Sequence, residues 1–232
     1  MTVDVKHDGD VATLAFNSGQ DGNPVSRAML ADIRRALGDL TEAPVVVIAG
    51  DGKDFTIGRD RSEPKLDDPF QNFALVTAVN EALAALPGIV IAAVRGRAHG
   101  FGVGLVLRAD LAVAAASTHF WLDEVKLGIP PMFVMERMLR HLPPKQALDI
   151  VLTSREFSAA EAMSMGLVSR VVEDDTLGVE IAALTAELAG RAPDVLMAVK
   201  QYFRTVDAMP PDASNAYALL EQTRFALRKK TG

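Results

Sequence analysis

The 232-residue chain has no cysteine, which excludes disulfide bridges and a thiol nucleophile. Its four histidines are scattered at positions 7, 99, 119 and 141, so they show no metal-ligand spacing. No apolar run approaches the roughly 18 residues that span a bilayer, and the first residues lack the basic and apolar segments of a signal peptide. The net charge of -6 argues against a nucleic-acid surface, which needs a basic stripe. These absences favour a cytoplasmic protein that acts on a small molecule.

The composition is that of an ordinary globular chain, with 49% hydrophobic and 23% charged residues. Two alternating segments enclose Asp8-Gly9, which predicts a β-hairpin. Continuous apolar runs at residues 45–49 and 89–94 predict buried strands, and the segments between the strands show helical spacing. Since strand and helix alternate until about residue 172, we expect an α/β fold with a buried, largely parallel sheet.

The last part of the chain, residues 175–232, shows helical spacing without a strand pattern. Three helices are predicted there, at residues 177–188, 195–206 and 217–227. Helices that have no sheet to cover often pack on a neighbouring subunit. This region is therefore predicted to join the protomers of a homo-oligomer, and residues 1–174 are predicted to form the core.

A glycine-rich run at residues 95–104 leaves a buried strand and opens a helix. Glycine permits tight turns, and backbone N–H groups at the start of a helix can hold an anion. The start of a dinucleotide fingerprint is present at Gly100 and Gly102, but Leu105 stands where its third glycine belongs. The glycines also suit close packing of a helix on a sheet. A third interpretation is an oxyanion hole, which requires a second N–H donor from elsewhere.

Two loops together resemble the enoyl-CoA hydratase/isomerase (crotonase) family. Residues 55–60, Phe-Thr-Ile-Gly-Arg-Asp, are similar to its F-x-x-G-x-D loop, and residues 92–102 are similar to its A-A-V-x-G-x-A-x-G-G-G loop. Further positions match in sequence order, namely Asn23, Asp110, residues 120–128, residues 152–168 and Pro193. The resemblance implies a crotonase (ClpP-like) spiral of ββα units with a C-terminal helical oligomerisation region. It also implies an acyl-CoA thioester substrate, no tightly bound cofactor, and a trimer or a dimer of trimers.

The resemblance assigns an oxyanion hole to the backbone N–H groups of Arg59 and Phe101, although the family usually has glycine at the second position. It places Val25 and Ser26 where the early loop of the family meets the nucleotide of CoA, and Arg59 and Arg61 are assigned to CoA binding as well. Basic side chains suit phosphate recognition and are concentrated on the two loops, at Lys53, Arg59, Arg61, Lys65, Arg95 and Arg97. Ordinary solvated loops are the alternative interpretation of these charges.

The carboxylates decide which reaction the resemblance predicts. Hydratases of the family use two glutamates, of which the first falls at Gly104 and is absent, and the second falls at Glu124 and is present. A single carboxylate suits proton relocation, so Glu124 is expected to convert a 3-enoyl-CoA into a 2-enoyl-CoA. Burial against Trp121 and Phe120 is expected to raise the Glu124 pKa.

Other roles for the same residues stay open at this point. Glu124 could be a surface carboxylate beside Asp123 that pairs with Lys126. His99 adjoins the glycine turn and is either an accessory base or a structural hydrogen-bonding residue. Glu136 could supply the missing acid if the segment before it folds back over the site.

Three alternative functions follow from these roles. A 2-enoyl-CoA hydratase, a lyase, would use a second acid that the sequence does not identify. A non-catalytic CoA-binding homologue is favoured by Gly104 and Phe101, which depart from the family pattern. Nucleotide-dependent redox chemistry would require nicotinamide binding.

Overall fold

The computed structural model describes residues 2–64, 67–207 and 209–231. Within these ranges the strands are β1 (Val3–Asp8), β2 (Val11–Phe16), β3 (Val45–Gly50), β4 (Ile89–Val94), β5 (Arg97–His99), β6 (Leu111–Ala115), β7 (His119–Trp121), β8 (Phe157–Ser158) and β9 (Arg170–Val172). The helices are α1 (Arg27–Asp39), α2 (Pro69–Ala85), α3 (Phe101–Val106), α4 (Met132–His141), α5 (Pro144–Thr153), α6 (Ala159–Ser164), α7 (Leu177–Ala189), α8 (Pro193–Val206) and α9 (Pro211–Thr231), and a 3-10 turn covers Glu124–Leu127.

The strands form two sheets. The main sheet has the order β1-β2-β3-β4-β6-β9, and the smaller one has the order β5-β7-β8. The predicted hairpin of β1 and β2 is confirmed, with Gly9 in the left-handed region at φ 56°, and the other neighbours in the main sheet are parallel. The chain passes from β4 to β5 and again from β6 to β7, so it leaves the main sheet for the smaller one in each step. This alternation builds the expected spiral of ββα units.

Both faces of the main sheet are buried, which explains the continuous apolar strands. In β3, Val46 and Ile48 point into the larger core cluster, while Val45 and Val47 point into a smaller cluster on the opposite face. The larger cluster includes side chains of α1, α2 and α3. Each fully buried aliphatic side chain contributes about 1.5–3 kcal/mol relative to exposure, so this two-sided burial is a major source of stability.

The C-terminal helices correct one expectation. They were predicted to have no sheet to cover, but Leu177 and Leu184 of α7 are buried in the smaller cluster against the main sheet. The predicted boundary at residue 174 therefore does not separate α7 from the core. Exposed apolar side chains lie on α8 and α9, at Val199, Phe203, Leu219, Leu220 and Leu227.

Helix α8 is attached to the main sheet by a buried cation. Lys200 is only 5% exposed, its ammonium group lies 2.6 Å from the Asp110 carboxylate, and it donates a hydrogen bond to the Gly88 carbonyl. The same carboxylate accepts the Val90 N–H at 2.8 Å. Asp110 therefore joins the start of β4 to α8. No helix in the described ranges is both long and apolar enough to cross a bilayer.

Candidate active site

The glycine run forms the turn between β5 and α3. Gly100 is the N-cap of α3 with φ 49° and ψ -110°, a backbone conformation that residues with a Cβ rarely adopt. Its N–H donates to the Trp121 carbonyl at 2.9 Å, which holds β7 against the turn. A Cβ at position 100 would lie 2.7 Å from Glu124 Oε1. Glycine at this position therefore lets the Glu124 carboxylate lie directly against the backbone of the turn.

The loop at residues 55–60 runs alongside β5. The N–H of Thr56 donates to β5 at 3.0 Å, and its carbonyl accepts the N–H of His99 at 2.9 Å. Gly58, at φ 87°, approaches the turn so closely that a Cβ there would lie 2.9 Å from the His99 carbonyl oxygen and 3.6 Å from the Phe101 nitrogen. The backbone that leads into Arg59 and the backbone that starts α3 are therefore adjoining.

The N–H groups of Arg59 and Phe101, one on each of these adjoining segments, make no hydrogen bond within the described part of the chain. Around Arg59, the Val25 N–H donates to the Gly58 carbonyl at 2.8 Å and the Asp60 N–H donates to the Val25 carbonyl at 2.9 Å. Arg59 lies between these two hydrogen bonds, and in a parallel bridge of this kind its own N–H points away from Val25. Phe101 is the first residue of α3, where no intrahelical acceptor exists.

The Phe101 side chain is 8% exposed and belongs to the larger core cluster. The departure from glycine at this position is therefore accommodated by the core. Its backbone N–H stays available, because a backbone donor does not depend on the side chain.

Glu124 begins the 3-10 turn that follows β7. Its Oε2 is buried and makes no hydrogen bond within the described residues. Burial raises the pKa of the Glu124 carboxyl group, and the charge of Asp123 adds to this rise while Arg61 opposes it. The direction is the one expected from the sequence. A carboxyl group with a raised pKa, held against the glycine turn, is suited to accepting a proton.

The alternative that pairs Glu124 with Lys126 at the surface is wrong. Lys126 lies over the Trp121 ring, 5.2 Å from its centroid, in a cation–π contact. Glu124 makes no ion pair with any described residue. Asp123 is instead paired with Arg61.

Val25 and Ser26 both have structural roles. Val25 is fully buried and bridges to Arg59, while the Ser26 hydroxyl oxygen caps α1 by accepting the Met29 N–H at 3.1 Å. Ser26 is therefore the N-cap of α1. Contact of either residue with CoA stays a prediction.

Most basic residues of the two loops are neutralised within the chain. Of the six predicted for phosphate recognition, Lys65 lies outside the described residues and Arg95 is exposed. The other four form the ion pairs Lys53–Asp21, Arg59–Glu63, Arg61–Asp123, Arg97–Asp21 and Arg97–Asp54. Hydrogen bonding to the Arg97 guanidinium holds the pKa of Asp54 below its usual value. This pairing counts against the phosphate surface expected from the sequence.

His99 packs edge-on against Trp121, with ring centroids 5.4 Å apart and an interplanar angle of 87°. Its side chain makes no hydrogen bond within the described residues, so the predicted structural hydrogen bond is not found. Burial lowers the pKa of the His99 imidazole. The described contacts of His99 are therefore those of an aromatic packing residue.

Glu136 is ion-paired rather than free. Its carboxylate lies 3.2 Å from Arg108, 3.5 Å from Arg137 and 3.6 Å from Arg140. The Arg108 guanidinium also donates to the Gly104 carbonyl at 3.2 Å. Gly104, where the resemblance places the first glutamate of the hydratases, therefore adjoins a neutralised cation. Within the described residues no group of three or more acidic or histidine side chains is arranged to hold a metal.

Comparisons with known proteins agree with this architecture. The Enoyl-CoA hydratase/isomerase family model matches residues 6–226. A carnitinyl-CoA dehydratase from Salmonella enteritidis is 35% identical over 187 residues, which are 77% of this chain and 70% of the relative. The crystal structure of an enoyl-CoA hydratase from Mycobacterium smegmatis matches with a TM-score of 0.90 and 30% identity, covering 96% of this chain and 90% of that chain. The crystal structure of an enoyl-CoA hydratase from Bacillus anthracis matches with a TM-score of 0.89 and 25% identity, covering 96% of this chain and 90% of that chain.

The two sheets and the paired loops define an α/β protein of the crotonase fold, as predicted from the sequence. The chain belongs to the enoyl-CoA hydratase/isomerase family. Enzymes of this family process acyl-CoA thioesters without a tightly bound cofactor.

Proposed function

We propose that the protein isomerises 3-enoyl-CoA thioesters to 2-enoyl-CoA thioesters, with Glu124 as the single carboxylate that moves the proton. The observation that carries this proposal is the position of the Glu124 carboxyl group. One of its oxygens lies against Gly100, and the other is buried without a hydrogen-bond partner in the described residues. A group so placed has a free basic atom on a carboxylate that lies against the turn from which the Phe101 N–H extends.

The reaction needs no water and no second acid. Glu124 takes a proton from C2 of the 3-enoyl thioester, and the electron pair of that bond delocalises onto the thioester oxygen. The N–H groups of Arg59 and Phe101 donate hydrogen bonds to this oxygen. The protonated Glu124 then gives the proton to C4, the double bond moves from C3 and C4 to C2 and C3, and the carboxylate is regenerated.

Known magnitudes support this division of labour. A positioned general base contributes ~10²–10⁴ to the rate. Loss of one oxyanion donor costs ~10²–10³. The raised pKa of Glu124 favours the first proton transfer, because a carboxyl group of ordinary pKa would be a weak base toward C2.

Hydration is the second candidate, because two of the similar proteins are named hydratase and the third is named dehydratase. Water addition in this family is expected to use two carboxylates, and position 104 holds glycine here. Glu136 is the acidic residue that Arg108 connects to Gly104, but it is ion-paired and half-exposed. This arrangement favours isomerisation over hydration.

Residues 175–232 are proposed to join the protomers of a trimer or of a dimer of trimers. Support comes from the exposed apolar side chains of α8 and α9, among which Phe203 and Leu219 are each 72% exposed. Exposed side chains of this size on adjacent helices are typical of a surface that another chain covers. Light scattering after size-exclusion chromatography would give the mass directly, and a monomer would contradict the proposal.

The central test follows the absorbance of the conjugated thioester after the protein is mixed with a 3-enoyl-CoA. An increase that is lost in Glu124→Gln supports isomerisation. In a parallel reaction with a 2-enoyl-CoA, a decrease of the same absorbance would instead show hydration. No change with either substrate, together with measurable CoA binding, would show a non-catalytic homologue.

A further inference from the structure

Arg61 and Asp123 form a two-pronged ion pair between segments 62 positions apart in the chain. Arg61 Nη1 donates to Asp123 Oδ2 at 2.8 Å, and Nη2 donates to Oδ1 at 2.5 Å. The Asp123 side chain is 8% exposed, whereas that of Arg61 is 55% exposed. Such a fork matches the carboxylate geometry on both oxygens, so it fixes orientation as well as distance.

This ion pair connects the two segments that carry the proposed chemistry. Arg61 follows Arg59 by two residues on the first loop, and Asp123 directly precedes Glu124. Glu124 Oε2 makes no hydrogen bond to any described residue. Its position therefore depends on the backbone that carries it and on its contact with Gly100.

The backbone on the other side of Glu124 is fixed only partly. The Ile129 N–H donates to the Glu124 carbonyl at 2.9 Å, and the Lys126 N–H donates to the Asp123 carbonyl at 3.0 Å. Both hydrogen bonds lie inside the segment and do not anchor it to the first loop. The Arg61–Asp123 pair is the direct side-chain connection between the two segments in the described part of the chain.

We propose that Arg61 and Asp123 are positioning residues, which clamp the first loop to the Glu124 segment and so hold the carboxylate of Glu124 in register with the Arg59 N–H. This inference rests on the proposed role of Glu124 as the base. It gives Arg61 a function other than binding the phosphates of CoA, because its guanidinium is already engaged by Asp123.

The clamp also sets the charge around Glu124. The charged groups that act on Glu124 are Asp123 and Arg61, and His99 acts in turn on Asp123. If Arg61 is removed, the buried Asp123 carboxylate stays as an unpaired like charge beside Glu124. The Glu124 pKa then rises further, because Arg61 no longer opposes the effect of burial.

The test compares kcat, KM and the pH dependence of kcat for Arg61→Gln, Arg61→Lys and Asp123→Asn. Arg61→Gln is expected to lower kcat about 10- to 100-fold with KM little changed, because a small misplacement of a catalytic group has an effect of this size. The acidic limb of the kcat–pH profile of this variant is expected to move to higher pH, because the pKa of Glu124 rises. Arg61→Lys should return the acidic limb to its wild-type pH, because the positive charge beside Asp123 is restored. It should recover only part of kcat, because lysine cannot make both hydrogen bonds to the Asp123 carboxylate. Combining Arg61→Gln with Asp123→Asn should recover the limb as well.

A matched control is Arg170→Gln, which removes another exposed Arg–carboxylate pair, with Glu180 at 2.6 Å, on β9 and far along the chain from the loops. It should leave kcat and the limb unchanged. The clamp would be overturned if Arg61→Gln and Asp123→Asn both keep the wild-type kcat and an unshifted acidic limb. If Glu124→Gln is inactive in the same experiment, the proposed function still stands. A raised KM with unchanged kcat in Arg61→Gln would likewise overturn it in favour of CoA binding. Full activity in Glu124→Gln would instead overturn the proposed function.

Discussion

A glutamate introduced at position 104 would test why this chain would isomerise rather than hydrate. Gly104 lies inside α3 without a left-handed backbone angle. A Cβ there would meet Val134 Cγ2 at 3.5 Å and Arg108 Nη1 at 3.7 Å, both ordinary contact distances. Replacement of a glycine inside a helix removes a cost of about 0.5–1 kcal/mol. Position 104 is buried, however, and desolvation of the added carboxyl group opposes this gain, so Gly104→Glu is expected to fold with a melting temperature at or below that of the wild type.

The introduced carboxyl group would begin one helical turn after Gly100, against which Glu124 lies. It would lie close to Arg108, which is already paired with Glu136, so its charge would be compensated only in part. With two carboxyl groups at the site, water addition to a 2-enoyl-CoA becomes feasible. Since one positioned acid or base contributes ~10²–10⁴, hydration should rise at least ~10²-fold over the wild type. Isomerisation should decrease only moderately, because Glu124 is unchanged.

The assay follows the loss of conjugated-thioester absorbance from a 2-enoyl-CoA and identifies the 3-hydroxyacyl-CoA product by chromatography. Gly104→Gln is the matched control, because it has the same size without the acid. The reasoning about the missing carboxylate would be refuted if Gly104→Glu folds, still isomerises, and hydrates no faster than Gly104→Gln.

Three further predictions follow from buried charges. The isomerase rate should rise with pH along a limb centred above the ordinary pKa of glutamate, because burial raises the Glu124 pKa and the deprotonated form is the base; a limb at the ordinary value would contradict this. Glu124→Gln should be at least as thermally stable as the wild type at neutral pH. A raised folded-state pKa stabilises the fold below the unfolded pKa, and this stabilisation is lost as pH rises through the folded pKa, so melting scans should show the wild type falling behind the variant above about pH 4.5. Lys200→Met should lower the free energy of unfolding by about 1–3 kcal/mol in denaturant titrations, because Asp110 loses its buried partner but keeps Arg204 at 3.4 Å, and Lys200→Met with Asp110→Asn should recover part of the loss.

The fold was predictable where a periodic pattern was long enough to read. The runs that became β3 and β4 were correctly predicted. Strands β5 and β7 have three residues each, which is too short for an alternation to show. The error about α7 had a physical signal in the sequence, because the two-sided burial of β3 requires a second covering layer and α7 supplies it.

The sequence was sufficient to predict the backbone loops of the site but not the ion pairs that its basic residues form. The loop at residues 95–104 was found from its glycines and the loop at residues 55–60 from its resemblance to the family motif. Their close approach at Gly58 and Gly102 follows from the absence of a Cβ at each position. The carboxylate partners of Arg61 and Arg97 lie 62 and 43 to 76 positions away in the chain. Such pairings leave no local pattern, so the basic residues looked like a phosphate surface when the acids that neutralise them were not yet in place.

This internal neutralisation has a consequence for the encounter with a substrate. A CoA thioester carries several negative charges, and the protein that it approaches has a formal net charge of -6. Because most cations of the two loops are already compensated, little positive field extends from them into the solvent, and diffusion is not steered toward the site. Association with an anionic substrate should then become faster, not slower, as salt screens the repulsion over a Debye length of about 10 Å at 0.1 M ionic strength. The protein would thus recognise an anionic substrate only after the two molecules are in contact.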